Sequence, residues 1–342
     1  ELLDQIAKVF GFEPPRARGH SVIDAVQAMI DGRARVFVGL GGNFVAAVPD
    51  KPIAEAAMRR LRLTVGITTK LNRGHLVHGE QALILPCLAR SDIDIQRGGR
   101  QSITVEDSMS MVHASTGLVE PPNGQLKSEV AIVCGMARAA LLNSGIEWSA
   151  FEDDYNLIRD KIEAVFPDLF RDFNQRIRQP GGFHLDIPPR DRVWKTPSGR
   201  ANFLVFDGID EEPPASDPAM LRLATLRSHD QYNTTIYGLN DRYRGVFGGR
   251  MVVFMNAADM QERDIAPEML VEIEALADDG RQRMVRGFKA RPYGIPRGSI
   301  GGYYPECNPL LPLAHHDLKS KTPAAKSIPV LVKPQSAHPE TE

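Results

Sequence analysis

Val36-Phe37-Val38-Gly39-Leu40-Gly41-Gly42-Asn43 decides how the first half of the chain folds. A continuous β-prone run predicts a strand covered on both faces, and the glycines behind it predict a loop at the strand's carboxyl end. Upstream, Ser21 is placed to cap a helix whose apolar positions Val22, Val26, Met29 and Ile30 share one face, with Asp31-Gly32 as its end. Downstream, Asp50 and Pro52 suit the start of a second helix, with Ile53, Ala56, Ala57 and Leu61 on its inner face. Two further strands follow, over 63–67 and 82–85. Strand, helix and strand in this order imply a mostly parallel sheet. A helix from about Ser128 to Leu142, with Val130, Val133, Ala137 and Leu141 inward, and another through Tyr155, Ile158, Ile162 and Val165 close the region.

From Gln179 to Pro218 the chain is rich in Pro, Gly and Asp, the composition of a surface connector. Beyond it the pattern turns to strands: 221–226, 251–255 and 270–275, where Val271, Ile273 and Ala275 alternate with Glu272 and Glu274. Asp278-Asp279-Gly280 then turns the chain toward a strand over 284–289. Short strands separated by Gly and Pro turns predict a closed β-barrel. The first of them opens directly into Arg227-Ser228-His229-Asp230-Gln231-Tyr232-Asn233-Thr234-Thr235, nine residues without an aliphatic side chain. A rigid strand ending in so many donors and acceptors suits recognition of a large polar ligand; a solvated turn is the competing reading.

With 342 residues the chain is long enough for two domains. It is 42% hydrophobic and 25% charged with a net charge of -2, so no global field recruits nucleic acid or an anionic membrane. No apolar run spans a bilayer and no secretory pattern opens the chain, so the expected location is the cytoplasm. Cys87, Cys134 and Cys307 are widely spaced without a C-x-x-C pair, which predicts buried thiols rather than disulfides, a zinc ribbon or an iron-sulfur site. The chain starts at Glu1 on a helix-like pattern, as a piece of a longer protein would.

The loop Gly39 to Asn43 lets backbone amides approach a phosphate closely, yet the dinucleotide fingerprint fails at Phe44, and Ile67-Thr68-Thr69 supplies no acid for a ribose. A plain nicotinamide enzyme therefore falls behind, and an ordinary tight turn remains the rival. Thr68-Thr69-Lys70-Leu71-Asn72-Arg73 offers hydroxyls, an amide and two cations suited to a purine or pyrophosphate. His75 and His78 with Glu80 form an incomplete metal set, and His315-His316-Asp317 reads as a surface turn. No metal ligand is expected.

Taken in order, Gly39-Leu40-Gly41-Gly42-Asn43, Thr69-Lys70-Leu71-Asn72-Arg73 with His75 and His78, Ala82 to Pro86, and Glu106-Asp107-Ser108-Met109 resemble the later nucleotide-binding segment of molybdopterin oxidoreductases. Thr196-Pro197-Ser198-Gly199-Arg200-Ala201-Asn202-Phe203 is similar to that family's entry to its last domain, and Arg227 to Thr235 to that domain's cofactor loop. Tyr303-Tyr304-Pro305-Glu306-Cys307-Asn308 and Asp317-Leu318-Lys319-Ser320-Lys321-Thr322-Pro323 with Lys326 resemble a terminal pattern shared with formate dehydrogenases and nitrate reductases.

The resemblance, nearest to the formate dehydrogenase-like alpha subunits, implies the carboxy-terminal portion of such an enzyme. Residues 1–178 would form a partial Rossmann-like α/β domain, 179–218 a connector, 219–335 a six-stranded double-psi-like β-barrel, and 336–342 a tail. It also implies a bis-molybdopterin guanine dinucleotide cofactor with molybdenum or tungsten, two-electron redox chemistry on a small-molecule substrate, and an electron-transfer partner. The metal-ligating residue and any iron-sulfur cluster would lie in a missing amino-terminal portion of the same enzyme. Expected binders are Gly41, Gly42 and Asn43 for close backbone and amide contact, and Thr69, Lys70, Asn72 and Arg73 for guanosine or phosphate. Arg227, Ser228, His229, Gln231, Asn233 and Thr234 would line the pterin and pyrophosphate, with Asn308 and Lys326 closing from the chain end. No catalytic residue is assigned. The alternative is a stand-alone nucleotide- or pterin-binding or assembly module without redox activity.

Overall fold

A computed structural model describes residues 1–205, 217–234 and 236–336. Thr235, part of the connector and residues 337–342 of the tail lie outside the described residues. The chain forms two compact units that interleave along the sequence: residues 1–18, 67–70 and 85–209 in one, residues 19–66, 71–84 and 210–342 in the other.

β1 (Val36–Leu40), β2 (Leu63–Thr68) and β3 (Gln81–Pro86) lie in that order in one sheet, all but the last residues of β2 and β3 being in the second unit. The Arg62 carbonyl accepts from the Gln81 amide at 3.0 Å and the Thr68 carbonyl from the Cys87 amide at 3.1 Å; both partners advance together, so these strands run parallel. The helices Val22–Ile30 and Lys51–Arg59 cover one face, burying Ile23, Val26, Met29, Ala57, Met58 and Leu61. Ser21 caps the first helix as expected. Its Oγ accepts from the Asp24 amide at 3.2 Å while the Asp24 carboxylate reaches back to the Ser21 amide.

One expectation about this unit needs correction. Val36, Val38 and Leu40 are 55%, 43% and 53% exposed, so β1 is covered on the Phe37 side alone; a continuous apolar run does not report how many layers pack on it. Asp50 and Pro52 stand at the start of the second helix as expected, although the Asp50 carboxylate makes no cap hydrogen bond. It accepts instead from Arg283 at 2.7 Å and from the Leu313 amide at 3.2 Å.

The first unit carries the pair β4 (Ile95–Gln96) and β5 (Gly99–Arg100), and an antiparallel sheet of β6 (Ile103–Glu106), β7 (Met111–Ser115) and β8 (Phe183–His184). Its helix Glu129–Ala140 buries Ala131 and Cys134, whereas Val133 and Leu141 are exposed. The expected inner face was therefore misplaced, because a run apolar on nearly every side leaves the choice of face to its neighbours.

The remaining strands, β9 (Leu221–Leu226), β10 (Val252–Met255), β11 (Leu270–Ala275), β12 (Arg283–Pro292), β13 (Ser299–Tyr303) and β14 (Ile328–Pro334), close into a barrel in the order β10-β12-β11-β14-β9-β13. Two neighbour pairs are parallel, β10 with β12 and β13 with β9, and the others are antiparallel. Val271, Ile273 and Ala275 point inward as the alternation predicts. Around them Leu223, Val253, Phe288, Ile300, Ile328 and Val330 form the fully buried interior.

Candidate functional site

Strand β9 delivers the polar loop to the barrel rim. There, a cleft of about 290 Å³ is bordered by Thr225, Arg227, Tyr304, Asn308 and Lys326, with Ala47 and Pro49 across from them in the same unit. Its lining contains two cations and no carboxylate among the described residues. Lys326 donates to the Thr225 carbonyl, and burial followed by the charge of Arg227 pushes its ammonium below the usual range. An ammonium held down by burial and a neighbouring cation gains from an incoming anion. Asn308 borders the cleft but commits its amide N–H to the Ala46 carbonyl at 2.9 Å, tying the chain end to the segment before Asp50.

The other loop residues divide by what they touch. Arg227 donates to Asn233 Oδ1 at 2.5 Å, and Asn233 sits at φ 48, a left-handed turn that Asn tolerates. Ser228 is buried, and its Oγ accepts from Arg250 at 3.0 Å. Gln231 accepts from Arg250 at 2.7 Å and donates to the Asn233 and Tyr304 carbonyls at 2.7 and 2.9 Å. Half-exposed His229 places Nδ1 3.2 Å from Asp241 and its ring against Tyr243, 4.4 Å between centroids. Thr234 is partly buried in the turn.

Four supports escaped the sequence reading: Arg250, Asp241, Glu306 and the Asp50–Arg283 pair. Buried Asp241 accepts from Arg244 at 2.6 Å and from the Tyr303 hydroxyl at 2.9 Å, besides His229. Burial alone would raise its carboxyl, but these hydrogen bonds outweigh it and hold the group below the usual carboxylate range. Glu306 faces Arg250 Nε at 3.0 Å and accepts from the Tyr237 hydroxyl. Burial pushes this carboxyl up to about 7, against the opposing pull of a hydrogen bond from its own backbone. Lone charged residues between strands carry no sequence signal of burial. The nearest hint is Gly248-Gly249 before Arg250, which marks a turn ahead of a strand, with Gly248 at φ 73.

The glycine loop forms a second recess in the same unit. Gly41 and Gly42 both adopt positive φ, 67 and 71, so any side chain there is strained. Asn72 donates to the Gly42 carbonyl at 3.0 Å and accepts from the Gly74 amide at 2.8 Å, joining the two loops. Asn43 Oδ1 is buried without a hydrogen-bond partner. His75 lines this recess too, its Nδ1 accepting from the Asn72 amide at 3.0 Å. Exposed Arg73 follows Asn72, whereas exposed Thr69 and Lys70 belong to the other compact unit. The structure thus gathers Gly41, Gly42, Asn43 and Asn72 at one recess and Arg227, Asn308 and Lys326 at another.

Comparison with known proteins bears on both. Residues 221–329, spanning most of the barrel, match the Molydopterin dinucleotide binding domain model. The chain is 46% identical over 338 residues to Protein YdeP of Escherichia coli K12 and 48% identical over 341 residues to an uncharacterized oxidoreductase of Mycobacterium bovis. Each alignment covers 98% of this chain but only 44% and 43% of those relatives, so the chain spans less than half their length. The assimilatory nitrate reductase catalytic subunit of Bacillus subtilis is 24% identical over 240 residues, 66% of this chain and 32% of that protein. Among solved structures, acetylene hydratase from Pelobacter acetylenicus shares the fold at a TM-score of 0.64 and 13% identity, covering 98% of this chain and 50% of that one.

Proposed function

Because the chain belongs to the molybdopterin oxidoreductase superfamily, we propose that it is the carboxy-terminal part of a formate dehydrogenase-like enzyme and grips a molybdopterin guanine dinucleotide at its barrel rim. The observation that carries this reading is the cleft beside β9, where Arg227 and Lys326 converge without an opposing carboxylate among the lining residues. Such a donor set fits the diphosphate of a dinucleotide. When bound in the intact enzyme, that cofactor supplies two-electron chemistry at molybdenum or tungsten. The residues of this chain bind and orient. Arg227 and Lys326 neutralise the diphosphate, and His229, Asn233 and Thr234 of the same loop are assigned to the rest of the cofactor. Ser228 and Gln231 shape the loop from behind, and Asn308 closes the rim. Gly41, Gly42 and Asn43 bring backbone close to the second guanosine arm, with Asn72 and Arg73 toward guanosine or phosphate.

The barrel is double-psi-like in this reading, the enzyme is cytoplasmic, and the missing amino-terminal portion completes the metal site. Among the described residues no helix is long and apolar enough to cross a membrane. Isothermal titration of the chain with inorganic pyrophosphate and with GDP tests the cleft. The chain should bind both, and Arg227→Ala should weaken pyrophosphate roughly 10- to 100-fold, the value of one charge-assisted hydrogen bond, without lowering the melting midpoint appreciably. Absence of binding by the unmodified chain, or lost folding in Arg227→Ala, refutes the assignment.

A further inference from the structure

We propose that Arg250 is the positioning residue of the ligand loop, setting the pose of Arg227 without touching the ligand itself; this rests on the reading of the rim cleft as a diphosphate site. A guanidinium has five N–H donors in one plane, and here all five have acceptors. Nε donates to Glu306 at 3.0 Å, Nη1 to Ser228 Oγ at 3.0 Å and the Gly238 carbonyl at 3.4 Å, and Nη2 to Gln231 Oε1 at 2.7 Å and the Tyr304 carbonyl at 3.0 Å. Two aromatic rings pack against it as well, Tyr237 at 4.4 Å and Tyr303 at 4.6 Å from the guanidinium carbon to the ring centroids. The group is buried, with nothing left to offer a ligand.

What this plane holds is the loop that bears the cleft's cation. From Arg250 the connection runs through Gln231, which donates to the Asn233 carbonyl, to Asn233, whose Oδ1 receives Arg227. A second branch fixes the Tyr304 carbonyl, next to the Tyr304 side chain that lines the cleft. Lysine keeps the charge but has neither the plane nor the five donors that hold these acceptors. Arg250→Lys should therefore leave a folded barrel with a loosened loop.

The test is a double-mutant cycle on pyrophosphate affinity, measured by titration well below the melting midpoints. Arg250→Lys should weaken pyrophosphate at least 10-fold, and Arg227→Ala with Arg250→Lys should be no weaker than Arg227→Ala alone, because the second change acts through the first. Ile273→Ala, which destabilises the barrel interior away from the loop, should leave affinity within twofold. If Arg250→Lys folds poorly, Gln231→Leu cuts the same connection and should give the same non-additivity. Wild-type affinity in Arg250→Lys, or simple addition of the two losses, overturns the proposal while leaving the cleft assignment standing. Failure of the unmodified chain to bind pyrophosphate removes both.

Discussion

Three donors converge on the Asp241 carboxylate, and one of them, Arg244, also holds the Arg227 carbonyl at 3.2 Å. This carboxyl titrates below its unfolded value, so its stabilising effect is present above that value and is lost as pH falls through the folded one. Asp241→Asn should cost about 3 kcal/mol at neutral pH, since it removes the charge from hydrogen bonds that are buried. Melting curves as a function of pH should show the gap between variant and wild type shrinking below about pH 4, where the unfolded carboxyl also protonates. A gap that widens toward acid would contradict the inferred charge state.

Strand β13 shows what an element demands that its sequence hides. Ser-Ile-Gly-Gly-Tyr has weak strand character, and no strand is expected there from pattern alone, yet Ser299–Tyr303 pairs with β9 on one side and β10 on the other. Its glycines are required by close approach: a Cβ on Gly302 would stand 2.4 Å from Cys307 Sγ, and one on Gly301 2.8 Å from Leu226 Cδ1. Gly302→Ala should lower stability by about 1–3 kcal/mol through overpacking, measurable by urea unfolding, while Gly41→Ala should act through backbone strain instead. An unchanged unfolding midpoint in Gly302→Ala would contradict the packing described. The elements that were legible announced themselves by periodicity or by capping chemistry: Ser21 with Asp24, the alternation in β11, and the turn at Asp278-Asp279-Gly280 before β12. Those that were not, such as the inner face of Glu129–Ala140 or the partner of Asp50, depend on neighbours remote in sequence. At the site the contrast is the same. Arg227 and Lys326 stand out as polar residues beside a strand, whereas Arg250 looks like any surface cation until the fold buries it.

Across the whole molecule, compactness does not follow chain order: residues 19–66 share a unit with the barrel, and 1–18 share one with 85–209. The barrel is closed, so its strands offer no free edge for another chain to extend. The sheet of β1, β2 and β3 is different, because Val36, Val38 and Leu40 form an uncovered apolar stripe along its outer strand. The consequence is colloidal. Prepared alone, the chain should enhance the fluorescence of an apolar dye such as ANS while fully folded, and its solubility should drop with added sulfate earlier than net charge suggests. Val38→Lys, which breaks the stripe with a solvated charge, should lower that dye signal and raise the salting-out threshold with little change in melting midpoint.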